Sequence, residues 1–169
     1  MDSTSDLDTD YIKSINIDID HARLVKEYRS LVEPRLDDVP SGTDLCIQKK
    51  FVLVKDHKKN DLINRMPYTH SLVDRLLPKY NFNFVNYRSI RPNTAYNWHR
   101  DKGGICVHIP LVTNEGCWFV YDSKCFHMAA DGTVYAVNNS HWHTFVNSGP
   151  DRRVHLIFEN LWIDQGSGL

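Results

Sequence analysis

The chain has 169 residues, 41% of them hydrophobic and 24% charged, with a formal net charge of −1. That is enough chain for one domain with its own core. The near-neutral balance, in which Lys49-Lys50 and Lys58-Lys59 are only short pairs, argues against a nucleic-acid partner. No apolar stretch approaches the roughly 20 residues of a membrane span, and the polar, acidic start Met1–Asp10 lacks the basic and apolar regions of a signal peptide. No membrane partner and a cytoplasmic location are therefore expected. Cys46, Cys106, Cys117 and Cys125 form no C-x-x-C pair and read as buried free thiols.

In chain order, residues 1–12 read as a flexible end. Ile15 to Asp20 alternates apolar and polar residues, the pattern of a half-buried strand. Asp20 is placed to cap a helix over His21–Leu31, where Leu24, Val25, Tyr28 and Leu31 recur at helical spacing. Glu33-Pro34 ends that helix, and residues 34–43 read as loop. Leu45–Val54 reads as a strand interrupted by exposed Lys49-Lys50, and 56–60 as a polar turn. Thr69–Leu77 reads as a short helix stopped by Pro78.

The second half changes character. Phe82–Ile90, Ile105–Val112, Cys117–Tyr121, Cys125–Ala129, Thr133–Val137, Thr144–Val146 and Val154–Ile163 read as strands separated by turn chemistry. Their close spacing after a mixed N-terminal region predicts a β-sandwich or jelly roll with helices packed on one side.

The candidate chemistry centres on residues 96–108. His99 and Asp101 sit two apart, so an extended segment points both to one face. An imidazole nitrogen and a carboxylate oxygen then converge, which is two-thirds of a two-His-one-carboxylate site suited to Fe(II). The third ligand must come from farther on. His108, His127, His141, His143 and His155 are candidates, and alternation puts His141 and His143 on the same side. Arg153 opens an apolar strand, where a buried guanidinium needs an anionic partner. A metal-bound dicarboxylate would be one, held by two parallel charge-assisted bonds. Asn86, Arg88 and Arg91 lie near an extended strand that could border a substrate, and Trp98, Trp118 and Trp142 read as core or as pocket wall.

The sequence His99-Arg100-Asp101, a later His143, Arg153 ten residues beyond it, Asn147, and His108-Ile109-Pro110-Leu111 together resemble the Fe(II)/2-oxoglutarate-dependent oxygenases. The likeness is to the aspartyl/asparaginyl β-hydroxylase branch, which includes proline cis-hydroxylases, and it covers roughly residues 68–163. It implies a mainly β (α+β) double-stranded β-helix, or jelly roll, with one or two N-terminal helices packed on the larger sheet. The expected organisation is a single domain over 1–169 with its jelly-roll core at 82–163.

The resemblance also implies a site. His99, Asp101 and His143 would ligate Fe(II), with His141 the rival distal ligand. Arg153, His108 and His155 would hold 2-oxoglutarate, and O2 would be consumed. The implied reaction is hydroxylation of an amino acid, or of a side chain in a peptide or protein, with release of succinate and CO2. Asp101 is retained, whereas animal members of the branch lack this carboxylate and halogenases replace it with a small residue. The alternative is a non-catalytic or Zn-binding cupin-like jelly roll.

Overall fold

The computed structural model describes residues 5–36 and 48–160. The elements in chain order are β1 (Ile12–Ile15), α1 (His21–Leu31), β2 (Gln48–Lys55), β3 (Lys58–Lys59), α2 (Pro67–Tyr80), β4 (Phe84–Ile90), β5 (Thr94–Ala95), β6 (Ile105–Val112), β7 (Cys117–Tyr121), β8 (Cys125–Phe126), β9 (Val134–Asn138), β10 (His143–Asn147) and β11 (Arg153–Glu159). They form two antiparallel sheets, a seven-stranded one ordered β1-β9-β6-β11-β4-β2-β3 and a four-stranded one ordered β5-β10-β7-β8. This is the expected jelly roll with two helices on the larger sheet. The larger sheet also recruits β1, β2 and β3 from outside residues 82–163. None of the helices among the described residues is long and apolar enough to cross a membrane.

The larger sheet is buried on both faces. Val85 and Tyr87 of β4, Val107 and Ile109 of β6, and Val154, Leu156 and Phe158 of β11 face one core. There they meet Leu24 and Tyr28 of α1 and Leu72, Val73 and Leu76 of α2. Cys106, Val137 and Ile157 face the other core, against Phe119, Tyr121 and Phe145 of the smaller sheet. Successive strand residues point to opposite faces, so the side chains between the apolar ones in β4, β6 and β11 fill the space between the sheets. These are Asn86, Arg88, His108, Arg153, His155 and Glu159.

Several boundaries differ from the sequence reading. The alternation from Ile15 to Asp20 is real, since Ile15, Ile17 and Ile19 all pack against the core. The ladder nevertheless ends at Ile15, because its partner β9 begins at Val134. Residues 5–12 take part in the fold: Leu7 is buried, and Asn138 donates to the Thr9 carbonyl at 2.9 Å. β2 runs uninterrupted through Lys49-Lys50, paired with Ser89 and Arg88 of β4. Residues 37–47, including Leu45 and Cys46, and residues 161–163 lie outside the described residues.

Pro78 does not stop α2, which continues to Tyr80. The proline is exposed, so the carbonyl that it leaves without an intrahelical donor can be hydrated. Buried Tyr80 holds the last turn in the core. The helix ends instead at Asn81, in the left-handed conformation with φ 54°. Among the cysteines, Cys106 and Cys117 are buried free thiols as expected, but Cys125 is exposed.

The two helices are tied by a cap. Asp20 accepts from the Arg23 amide at 3.0 Å and caps α1. The N-cap of α2, Met66, has no side chain for that task. Glu27 of α1 supplies it, accepting from the Tyr68 amide and the Thr69 amide at 2.8 Å each and from the Thr69 hydroxyl at 2.7 Å. Glu27→Ala leaves these donors unmet. It is expected to lower unfolding stability by about 1–2 kcal/mol, read from the urea midpoint, whereas loss of an idle surface carboxylate would leave the midpoint in place.

Candidate active site

The stretch before β6 runs beside the entry to β10. The His99 amide donates to the His143 carbonyl at 3.0 Å, and the His143 amide returns the bond to His99 at 2.8 Å. The Asp101 amide then donates to the Asn139 carbonyl at 2.8 Å, and the Asn139 amide to the Gly104 carbonyl at 3.0 Å. This short antiparallel contact brings His99, Asp101 and His143 together, with one ligand atom of each within 4.8 Å of the others.

Local bonds fix what each group presents. The His99 Nδ1 contacts the Asn97 carbonyl at 2.8 Å, and the His143 Nδ1 contacts the His141 carbonyl at 2.9 Å. A carbonyl can only accept, so each Nδ1 carries the proton and each Nε2 keeps its lone pair for a ligand. Asn139 donates to Asp101 Oδ2 at 3.2 Å and orients the carboxylate. Burial, chiefly, holds the His143 pKa below its ordinary value, which favours the neutral ring. Two imidazoles and one carboxylate on one face match the donor set of an open Fe(II) site.

Gly103 lets the loop after Asp101 close on the end of β11, because a Cβ there would lie 2.4 Å from the Asn160 carbonyl oxygen. Gly104 adopts φ +71°, a conformation costly for other residues. His99, Asp101, Tyr96, Arg88, Glu159 and Asn160 are among the residues lining a cavity of about 320 Å³ over the ligand group.

Arg153, His155 and His108 form a second group, deeper between the sheets. Arg153 Nε donates to His155 Nε2 at 2.9 Å. Arg153 Nη2 reaches His155 Nδ1 at 2.9 Å, so both ring nitrogens of His155 face the guanidinium. His155 Nδ1 also meets His108 Nδ1 at 3.1 Å. Among the described residues His108 Nε2 is buried with no partner. Among the described residues no carboxylate pairs with Arg153. Burial drags its guanidinium pKa down from 12.5 to about 9, the mark of a charge that the protein alone does not match. A buried guanidinium and an orphaned imidazole nitrogen are what a carboxylate-bearing co-substrate would engage, so these residues fit 2-oxoglutarate.

Two aromatic rings join the groups. Phe119 stacks on His143 at 5.0 Å between centroids and meets His108 edge-on at 6.2 Å. The Arg153 guanidinium lies 5.5 Å from the Phe145 ring. Arg153 and His155 border a separate void of about 10 Å³, so in this structure Arg88 and not Arg153 lines the cavity over the ligand group.

Other residues singled out in the sequence fall elsewhere. His141 is exposed against the Tyr11 ring at 5.4 Å. It precedes β10, so strand alternation with His143 does not apply. His127 contacts the Cys117 carbonyl through Nδ1 at 2.9 Å and is not part of the ligand group. Trp98, Trp118 and Trp142 are 49%, 41% and 55% exposed and are not core; none lines the cavity over the ligand group, and Trp118 borders the small void beside Arg153 and His155. Each follows or precedes an inward residue (His99, Phe119, His143), which turns the indole outward. Arg91 is exposed and Asn86 is buried. Asn139, Glu159 and Asn160 escaped the sequence reading, although Glu159 continues the inward series Arg153, His155, Ile157 with period two.

The sequence model of the aspartyl/asparaginyl beta-hydroxylase family matches residues 19–161. No curated protein matches the chain. Similar solved structures include an oxidoreductase of the 2OG-Fe(II) oxygenase family from Burkholderia pseudomallei, with TM-score 0.62, 12% identity and coverage of 94% of this chain and 87% of that one. A Pseudomonas putida prolyl-4-hydroxylase gives TM-score 0.61 and 12% identity over 95% and 98% of the two chains. A Trichoplax adhaerens prolyl hydroxylase, solved with a peptide fragment of the hypoxia-inducible factor oxygen degradation domain, gives TM-score 0.60 and 13% identity over 94% and 87%. At these identities the likeness establishes the fold.

The buried histidines set a pH dependence. Burial first, and the Arg153 charge second, push the pKa values of His108 and His155 well below 6.5. Below about pH 6.5 the unfolded chain takes up protons that the folded chain refuses. Their contribution is therefore complete above that pH and declines as pH falls, by up to about 1.4 kcal/mol per pH unit for each histidine. Urea midpoints between about pH 7.5 and 5.5 should fall accordingly, and His155→Asn should flatten the slope. An unchanged slope in that variant would mean that His155 protonates freely in the fold.

Proposed function

The chain belongs to the aspartyl/asparaginyl beta-hydroxylase family, and on that footing we propose that it is an Fe(II)- and 2-oxoglutarate-dependent dioxygenase that hydroxylates an amino acid, free or within a peptide or protein. The observation that carries this reading is the pairing of the His99, Asp101 and His143 group with a buried Arg153 that has no carboxylate partner among the described residues. When bound, Fe(II), 2-oxoglutarate and O2 together supply the oxidising equivalents that place a hydroxyl group on a substrate carbon, with release of succinate and CO2.

The chain's own residues bind, orient and exclude water. His99 and His143 present Nε2, and Asp101 presents a carboxylate that Asn139 steadies. Arg153 would pair with the distal carboxylate of 2-oxoglutarate through its planar fork, and His108 Nε2, buried without a partner among the described residues, would face the same molecule. His155 links them, accepting from Arg153 and contacting His108 Nδ1. Phe119, against His143 and His108, and Phe145, against Arg153, lie between the two groups and shield them from water, which strengthens charged contacts there. A Zn-binding or non-catalytic cupin-like protein would have no use for the free Arg153 charge and the unpartnered His108 nitrogen.

The test is succinate formation from 2-oxoglutarate by the purified protein with Fe(II), ascorbate and air, against His99→Ala and Asp101→Ala. Wild-type turnover above both variants is expected. Arg153→Ala should retain iron but lose roughly 2–4 kcal/mol of 2-oxoglutarate affinity, about 30- to 1,000-fold. Unchanged affinity in that variant would remove Arg153 from the co-substrate site, and absence of both turnover and iron-dependent 2-oxoglutarate binding would end the oxygenase reading.

A further inference from the structure

The cavity over the ligand group holds a charge pair that the proposed reaction leaves unused. Arg88 of β4 and Glu159 of β11 both line it. Arg88 Nη2 meets Glu159 Oε1 at 2.5 Å, with side-chain exposures of 11% and 10%. Asn86 donates to the same oxygen at 2.9 Å and fixes the carboxylate. Both bonds fall on Oε1. Among the described residues Oε2 accepts none, and Arg88 Nε is buried with no partner. The pair therefore keeps a spare acceptor and a spare donor beside the ligand group.

Stability does not explain this arrangement. Taking two charges out of water costs about as much as their attraction returns, and apolar residues of similar volume often serve the fold as well or better. β11 supplies Ile157 to the same interior, so an apolar filling is available to this strand. A charge pair at a cavity wall does suit a ligand that carries the complementary pair.

We propose that Arg88 and Glu159 are specificity-determining residues that read the carboxylate and ammonium groups of a free α-amino acid substrate. The inference rests on the oxygenase reading and narrows it. A guanidinium takes a carboxylate through two parallel bonds, and a carboxylate oxygen takes an ammonium N–H. In an α-amino acid both groups sit on one carbon and can meet the adjacent pair together, leaving no net charge in the site. A residue inside a polypeptide offers neither group, and a chain terminus offers one. A terminus would bring one charge into the site without its counterpart, and an internal residue would leave the spare donor and acceptor of the pair unmet; sites built to pair a polar group reject ligands that lack it far more strongly than they reject a missing methylene.

The experiment is saturation-transfer NMR on the full chain with Fe(II) and 2-oxoglutarate under anaerobic conditions. One sample contains an equimolar pool of free amino acids, and a second contains the same amino acids N-acetylated and amidated. The 2-oxoglutarate signal in the same tubes reports on the oxygenase reading separately. Transfer to one or a few free amino acids and to no blocked one is expected. Arg88→Lys and Glu159→Gln should each weaken that binding by about tenfold or more, with melting midpoints recorded to confirm that the variants fold. Equal transfer to the blocked pool, transfer to no free amino acid, or undiminished binding in both folded variants would overturn the proposal. The wild-type comparison decides it even where a variant fails to fold.

Discussion

A strand buried on both faces must satisfy two environments at once, and β11 is the strand on which this protein depends. Its residues alternate between the helix-backed core and the space between the sheets. Val154, Leu156 and Phe158 close the apolar core with α1 and α2. Arg153, His155 and Glu159 face the other way and carry polar chemistry into the interior. One strand thus seals the scaffold and furnishes the site. β4 and β6 flank it and repeat the division, with Asn86 and Arg88 opposite Val85 and Tyr87, and His108 opposite Val107 and Ile109.

The cost of that division is charge held away from water. Arg153 and Arg88 sit in the same interior, and each depresses the pKa values of His108 and His155. Among the described residues the polar interior is incomplete as the protein alone presents it: Arg153 lacks an anion, His108 Nε2 has no partner, and Arg88 Nε lacks an acceptor. Buried polar groups are ordinarily paired. Their clustering here, at the ligand group and behind it, is the physical ground for the proposed co-substrate and substrate sites.

The ligand group depends on backbone more than on side-chain contacts. The reciprocal bonds of His99 and His143 set the distance between two segments 44 positions apart in sequence (143 − 99). Asn139 continues the contact through its main chain to Asp101 and Gly104 and through its side chain to the Asp101 carboxylate. The loop that carries Asp101 reaches this position because Gly103 passes close to Asn160. The imidazole tautomers follow from nearby carbonyls, so each ring is oriented before any ligand arrives.

The sequence by itself determined the elements whose signals are local. Helical spacing with Asp20 before it specified α1 to the residue, and β-branched or apolar runs specified β6 and β7. The spacing of His99, Asp101, His143 and Arg153 identified candidates whose ligand atoms or burial the fold then supplied. Local patterns misjudged places where a distant partner decides. β1 ends where β9 begins, α2 outlasts Pro78 because Tyr80 is anchored in the core, and the tryptophans turn outward because their neighbours turn in. Only the tertiary structure separated His141 from His143, set Arg153 behind Phe145, and brought Arg88 and Glu159 to one cavity wall. Those outcomes depend on register and on cross-sheet packing between segments far apart in the chain, which no stretch of sequence encodes alone.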